Sequence, residues 1–558
     1  MSKNGNFYGR YLLVIASLGG LLYGADIGII AAALLYVGHT IELTLEQTSL
    51  VVAAVLGGSM FSSLAAGLLA DWFGRKKMMI VSGLMFVVSV VIIVLSQGFV
   101  SLFLGRLLQG MSGGVIAVVV PLYLAECLSA NSRGRGTAIF QFFLTFGIVI
   151  AAAVGWYYTR QAEAAVAAAA GNAALILAAQ NHAWRGMFLA VVYPGALFFL
   201  GSFALSETPR WLVRKGRLEA ARKALLRSVS AEEAERELEE MQTLTQETAA
   251  NARGVSLWRR KYIFPFVLAC VILSLNQTTG INSVLSFLVV ILRQAGMTAR
   301  LATQGDVFVK VTNCVMTVVA VLLVDRKGRR FLLQFGTGGI VVALAAGGFL
   351  FLRAEAARTD VRSQVQAAEV GNRVHLPLDQ GEFAAASHGR RMVLTVVYSY
   401  GDGQHMETVL TDTPNPVLTL EPEQASSSPL TIQRAWYGPV PPARSGWIMA
   451  LCLAVFIACY GVGPGVVVWL ALSELMPTRI RSTGMGIALL LNQGISTLIA
   501  GMFLPVVGSY GYSSMFFFWS GCTILYFLTA TFFLPETKGK SLEEIEMFFD
   551  KGREHQTA

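Results

Sequence analysis

Asp71-Trp72-Phe73-Gly74-Arg75-Lys76 closes the second long apolar stretch of the chain, and Asp325-Arg326-Lys327-Gly328-Arg329-Arg330 closes the eighth. Two further pairs return in the same order. Glu126, seven residues before Arg133 after the fourth stretch, is matched by Glu474, seven before Arg481 after the tenth. Glu207-Thr208-Pro209-Arg210 follows the sixth stretch, and Pro535-Glu536-Thr537-Lys538 follows the twelfth. The copies stand 254 residues apart at Asp71 and Asp325, 348 at Glu126 and Glu474, and 329 at Glu207 and Glu536. The chain is therefore two parallel halves of six stretches each. The second half carries a surplus of 94 residues between its second and fourth stretches, and the first a surplus of 19 at the corresponding later position. Segments 354–445 and 157–185 lie at those places.

The twelve stretches fall near 11–34, 49–71, 78–97, 100–125, 136–156, 186–205, 264–293, 304–324, 331–353, 446–471, 482–506 and 514–534. Each is long enough for a bilayer, which takes roughly 20 apolar residues. Composition agrees: of 558 residues 54% are hydrophobic and 14% charged, against about 25% charged in a soluble chain. A string of soluble domains, a disordered chain and a disulfide-rich scaffold are excluded, the last by a total of only six cysteines. The first stretch is too long for a cleaved signal and contains Asp26.

The net charge of +9 has a topological origin. Arg75, Lys76 and Lys77, then Arg133 and Arg135, then Arg326, Lys327, Arg329 and Arg330 all follow even-numbered stretches, and 206–262 is rich in both basic types. Every lysine except Lys310 falls in one of these segments or in a tail. That is the positive-inside pattern; it predicts cytoplasmic termini, a periplasmic 354–445 and a plasma (inner) membrane location, with no nucleic-acid partner. The expected fold class is an all-α polytopic membrane protein. Its twelve helices form two pseudo-symmetric six-helix bundles, with a small extracytoplasmic insertion containing β-structure. The expected domains are an N-terminal bundle 1–205, a cytoplasmic helical linker 206–262, a C-terminal bundle 263–353 and 446–537, the insertion 354–445 and a tail 538–558. Parallel repeats of this kind place a substrate site at their interface.

At the cytoplasmic helix ends, Asp71 with Arg75, Glu126 with Arg133, Asp325 with Arg329 and Glu474 with Arg481 are spaced to pair across neighbouring helices. Such pairs would latch that face and break as it opens.

These residues resemble the sugar porter family of the major facilitator superfamily. The resemblance rests on Gly74-Arg75-Lys76, Pro121-Leu-Tyr-Leu-Ala-Glu126, Glu207-Thr-Pro-Arg210-Trp211-Leu212 and Gln277-Thr-Thr-Gly280-Ile281-Asn282. It extends through Gly463-Pro-Gly465 with Trp469 and Pro535-Glu-Thr-Lys-Gly539, leaving out only 157–183 and 354–445. It implies a major facilitator fold and movement of a monosaccharide or polyol by alternating access. Asp26 and Arg106 lie at similar depths in the first and fourth stretches, about six to eight residues from their outer ends. They resemble the aspartate–arginine pair of the family's proton symporters, in which the arginine's approach and separation switch the aspartate between releasing and holding a proton.

Sugar hydroxyls need groups that both donate and accept, and sugar rings need an aromatic platform. Gln141, Asn276, Gln277, Asn282, Asn313, Trp469 and Asn492 are such groups in otherwise apolar stretches, and most match sugar-contacting positions of the family. Asn276 stands where the family has a second glutamine, Ser286-Phe287 where it has a tyrosine pair, and Gln493 where it has a tryptophan. Lys310, one turn from Asn313, is expected to snorkel to the outer boundary or to face the central cavity.

In the insertion, Arg391–Tyr400 and Gln404–Asp412 read as strands joined at Gly401-Asp402-Gly403. Val417–Leu420 and Leu430–Ile432 read as two more, 354–370 as helical, and the alanine-rich 161–180 as an extra helix. The cysteines lack metal-ligand spacing, and neither a P-loop nor a nucleophile elbow occurs. The expected protein is thus not an enzyme and takes no cofactor or metal. It is expected to act as a monomer in the lipid bilayer, importing a sugar driven by the proton gradient. The rival readings are a passive facilitator and a non-transporting nutrient sensor.

Overall fold

The computed structural model describes residues 3–128, 130–227, 231–250, 260–387, 391–412, 416–421, 428–468 and 481–536. The long helices of the first half are α1 (Lys3–Thr40), α2 (Leu45–Phe73), α3 (Arg75–Leu95), α4 (Phe99–Cys127), α5 (Ala130–Ala168) and α6 (Ala173–Ser202). Three short helices follow, α7 (Pro209–Arg214), α8 (Leu218–Leu225) and α9 (Ala231–Ala250), packed around Trp211, Leu225 and Leu238. The second half has α10 (Arg260–Thr278), α11 (Ile281–Gln294), α12 (Ala299–Lys327) and α13 (Arg329–Ala356). The short α14 (Arg362–Ala367) and α15 (Gly381–Ser387) belong to the insertion. The last three are α16 (Ala443–Val462), α17 (Arg481–Tyr510) and α18 (Tyr512–Phe532). With α10 and α11 counted as one broken span, 12 helices among the described residues are long and apolar enough to cross a membrane. We call the side carrying the 74–77 and 326–330 turns the basic face, and the opposite side the insertion face.

The repeated motif does its first work at the helix junctions. Gly74 (φ +100°) separates α2 from α3, and Gly328 (φ +86°) separates α12 from α13. Each next helix begins with amides that lack an intrahelical acceptor. Glu207 supplies one carboxylate, accepting from the Arg75 N–H at 2.9 Å and the Lys76 N–H at 3.2 Å. Glu536 does the same for Arg329 and Arg330, at 3.0 and 3.1 Å. A carboxylate there also complements the helix dipole, which explains why both motifs recur in each half.

Small residues set the helix spacing. Gly20, Gly24 and Gly28 lie one turn apart on α1 and press against α5; a Cβ at Gly24 would sit 1.8 Å from the carbonyl oxygen of Leu144. In lipid, such close packing is what drives helices together.

The insertion folds around Val365, Val374, Phe383, Leu394, Leu418 and Tyr437. Its strands are β1 (Thr359–Asp360), β2 (Glu369–Val370), β3 (Arg373–Pro377), β4 (Met392–Ser399), β5 (His405–Leu410), β6 (Val417–Leu420) and β7 (Thr431–Pro439). They form an antiparallel sheet in the order β1-β7-β4-β5 and a second in the order β2-β3-β6. The expected hairpin is present, with Tyr398 opposite His405 and Val393 opposite Leu410. Two expectations need correction. Residues 354–370 are not one helix: α13 stops at Ala356, and β1, α14 and β2 follow, because Val361 and Val365 turn into the insertion's own core. The alanine-rich segment is no separate helix; it prolongs α5 to Ala168 and starts α6 at Ala173, where the Asn172 side chain caps the Ala174 and Leu175 amides. The tail 538–558 lies outside the described residues.

A leucine at Gly24 is expected to destabilise the protein by about 1–3 kcal/mol through overpacking. Leucine at Gly67, where a Cβ would meet nothing within 4 Å, should leave thermal unfolding of the detergent-solubilised chain unchanged. Equal midpoints for the two variants would contradict the packing described.

Candidate functional site

Gly280 breaks the seventh span. Its φ of +81° and the indole of Trp519, 2.4 Å from where a Cβ would stand, leave room for glycine alone. The break brings the amides at either end of the Gln277–Asn282 motif together. Asn282 Nδ2 donates to Gln277 Oε1 at 3.0 Å and to Ser496 Oγ at 2.8 Å. Gln277 Nε2 donates to Asn492 Oδ1 at 3.1 Å, and Asn492 Nδ2 to the Leu273 carbonyl at 3.0 Å. Asn276 Nδ2 donates to Tyr460 Oη at 3.2 Å, while its Oδ1 is buried without a partner among the described residues. Three of the expected amides, Gln277, Asn282 and Asn492, are therefore hydrogen-bonded together beside the α10–α11 break, while Asn276 bonds separately to Tyr460.

Asn313 is buried on α12, and Gln141 is exposed on α5 one turn from Thr145, whose hydroxyl meets Cys314 of α12 at 3.7 Å. Trp469 lies outside the described residues. Sequence reasoning missed Ser496 and Tyr460, because each meets one of the four amides from a helix some 200 positions away.

Asp26 and Arg106 are both sealed from solvent, at 0% and 1% exposure. One hydrogen bond joins them, Arg106 Nη1 to Asp26 Oδ1 at 3.0 Å. The same nitrogen donates to Gln109 Oε1 at 2.7 Å, and the guanidinium lies 5.5 Å from the centre of the Phe188 ring. Asp26 Oδ2 and Arg106 Nε have no partner among the described residues. Asp26 thus keeps one oxygen bonded and one open, as Asp306 does on α12. Gln109, three residues after Arg106, was legible as a same-face neighbour but not as a ligand of it.

Lys310 neither snorkels nor faces an open cavity. It is 0% exposed, and its Nζ donates to Asp306 Oδ2 at 2.8 Å and to the carbonyl of Gly28 at 2.9 Å. The i,i+4 aspartate, itself within the eighth span, neutralises the ammonium inside the bundle, which a snorkelling stem alone cannot do. The Gly28 bond crosses from one half to the other, less than one turn from Asp26.

On the basic face, Arg75 pairs with Asp71 at 2.8 Å, as expected, and also with Glu126 at 2.9 Å. Glu126 is held by Arg75, by Arg214 at 3.2 Å and by the Thr208 hydroxyl at 2.6 Å, so its described partners are not the expected Arg133. Glu474 and the side chains of Arg133, Asp325 and Arg481 lie outside the described residues; Arg329 gives its backbone amide to Glu536. These contacts all stay within one half. Contacts between halves run from the insertion face to mid-membrane, including the Leu504 amide on Ser49 Oγ at 3.1 Å and Gly494 against Met60.

Breaking the buried Asp306–Lys310 pair on one side only should destabilise the protein by roughly 3–5 kcal/mol. Lys310→Met or Asp306→Asn alone should therefore lower the thermal midpoint sharply, and the double variant should recover most of the loss. Additive effects would show that the two groups are not paired.

Comparison with known proteins agrees with this architecture. The family described as Sugar (and other) transporter matches residues 12–367 and 438–549, leaving 368–437 unmatched. A probable metabolite transport protein, CsbC of Bacillus subtilis (strain 168), is 27% identical over 99% of this chain and 96% of its own. The glucose transporter GlcP of Staphylococcus epidermidis is 26% identical over 96% of each. Among solved structures, the xylose transporter XylE from E. coli in a partially occluded inward open conformation superposes with a TM-score of 0.68 at 18% identity, over 95% of this chain and 99% of that one. The proton:xylose symporter XylE bound to 6-bromo-6-deoxy-D-glucose gives a TM-score of 0.64 at 20% identity, over 97% of this chain and 99% of that one. With a sugar-transporter match over both halves and twelve membrane-spanning helices in the major facilitator fold, the chain belongs to the sugar porter family of the major facilitator superfamily.

Proposed function

We propose that this transporter imports a monosaccharide or related polyol together with a proton by alternating access. It would act as a single chain in the plasma (inner) membrane, with both termini cytoplasmic and the insertion outside. The observation that carries the reading is the Asp26–Arg106 pair, a buried carboxylate with one oxygen bonded and the other open. Substrate binding that draws Arg106 away leaves Asp26 to hold a proton; return of Arg106 expels it. The names of GlcP, a glucose transporter, and XylE, a proton:xylose symporter, support the same assignment.

Gln277, Asn282 and Asn492, with Asn276, Gln141, Asn313 and Trp469, would hold the substrate. In the closed cluster Gln277, Asn282 and Asn492 bond to one another, and sugar hydroxyls would replace those bonds one for one. The exchange needs no net loss of hydrogen bonds, only an opening of the seam. The basic-face groups Asp71, Arg75, Glu126, Arg133, Asp325, Arg329, Glu474 and Arg481 would latch that face in the opposite state.

In proteoliposomes, a proton gradient is expected to drive sugar accumulation by the intact chain. Asp26→Asn should abolish accumulation while sugar exchange persists, and Gln277→Ala should weaken binding about tenfold, the worth of one or two hydrogen bonds. Uptake indifferent to the gradient, or accumulation surviving in Asp26→Asn, would refute symport.

A further inference from the structure

The family match stops at Ala367, the end of α14, and resumes at Gly438 in β7, leaving 368–437 outside it. The insertion's covalent roots are both in the second half, at the end of α13 and the start of α16. Yet the tip of its β4–β5 hairpin rests on the first half. Gln404 accepts from the Leu45 amide through its carbonyl at 2.7 Å, and its own amide donates to Glu46 Oε2 at 2.9 Å. Leu45 and Glu46 open α2, where the first amides lack intrahelical acceptors. Thr44 and Gln47 satisfy one another there in a capping box, and Gln404 takes the Leu45 amide, one of the two that the box leaves over. At Gly403 (φ +136°) the chain passes so close that a Cβ would lie 3.0 Å from Thr44 Cβ.

The side chain of the same residue reaches the other half. Gln404 Nε2 donates to Ser509 Oγ at 3.2 Å, at the end of α17, and Arg434 of β7 donates to the Ser509 carbonyl. One residue thus spans the mouth between α2 and α17. Directly beneath it the two helices are closed on each other, through Ser49 and Leu504 and a small apolar patch of Ala53, Leu56 and Ala500.

We infer that the insertion is an outer strap: its Gln404 hairpin clamps α2 to α17 and holds the insertion-face gate shut. The inference builds on the alternating-access reading above. A central site reaches the insertion face only when α2 and α17 part, and Gln404 cannot then keep both. Rooted in the second half, the strap stays with α17 and releases Leu45 and Glu46. The bonds to be broken each shift an equilibrium by a factor of roughly two to ten, so the strap biases the protein toward the state closed on this face.

The test uses the full chain in proteoliposomes with spin labels at Leu50 of α2 and Met502 of α17, two exposed positions outside the strap. Their separation reports the gate without any substrate, so its outcome is independent of whether sugar is the cargo. Replacing 368–437 by a short Gly-Ser linker, or Glu46→Ala in the intact chain, should raise the long-distance population, by about tenfold for the deletion. Unchanged distances in both would overturn the inference. As a second measurement, oxidised Thr44→Cys/Gly403→Cys should lose sugar counterflow and regain it on reduction. A cross-linked chain that exchanges sugar as fast as the reduced one would show that the strap never lets go.

Discussion

Arg106 Nη1 and Asp26 Oδ1 meet at 3.0 Å where neither residue is exposed, and most of the polar arrangement answers to the same constraint. Inside a bilayer a lone charge is too expensive to keep, and Asp26, Arg106, Asp306 and Lys310 each have a partner. What differs is the margin. Arg75 is gripped by Asp71, Glu126 and the Ala70 carbonyl; Lys310 is held by Asp306 and Gly28. Asp26 has one bond. Asp306 likewise has one, to Lys310, with its second oxygen unpartnered among the described residues; in the proposed cycle it is Asp26, whose arginine is drawn away, that changes protonation.

The two halves are joined differently at their two ends. At the basic face, carboxylates cap helices and pair with arginines of the same half, so the halves are internally rigid there. Toward the insertion face the bonds cross over: Leu504 to Ser49, Lys310 to Gly28, Gln404 to both sides. Rigid bundles with a breakable seam are the physical requirement for rocking about a central site. The glycines of α1 add to that rigidity by locking α1 on α5 within the first half, while the broken seventh span, turning at Gly280, supplies the irregular backbone on which the amide cluster is built.

Much of this was legible in the sequence because it follows from local rules. The spans are set by hydrophobic length, the halves by a repeated motif, the hairpin by Gly401-Asp402-Gly403 between alternating residues. The Asp26–Arg106 pair emerged from matched depth in two separate spans. Tertiary detail was not legible. Asp306 stands one turn before Lys310, but their spacing alone does not show that the two are buried together as a pair. Glu207 and Glu536 were visible as repeats but not as caps, since their partners are more than 130 residues away. The 354–370 stretch has helical composition, yet Val361 and Val365 are claimed by the insertion's core, and packing overrode propensity there.

The proposed coupling stands on one event, a change in the protonation of Asp26 when substrate binds. Infrared difference spectroscopy on the purified chain, upon addition of a monosaccharide that stabilises it thermally, observes that event directly. The expected result is a substrate-induced change in the protonated-carboxyl band, absent in Asp26→Asn. The same difference spectrum in both proteins would contradict the assignment of Asp26 as the proton carrier.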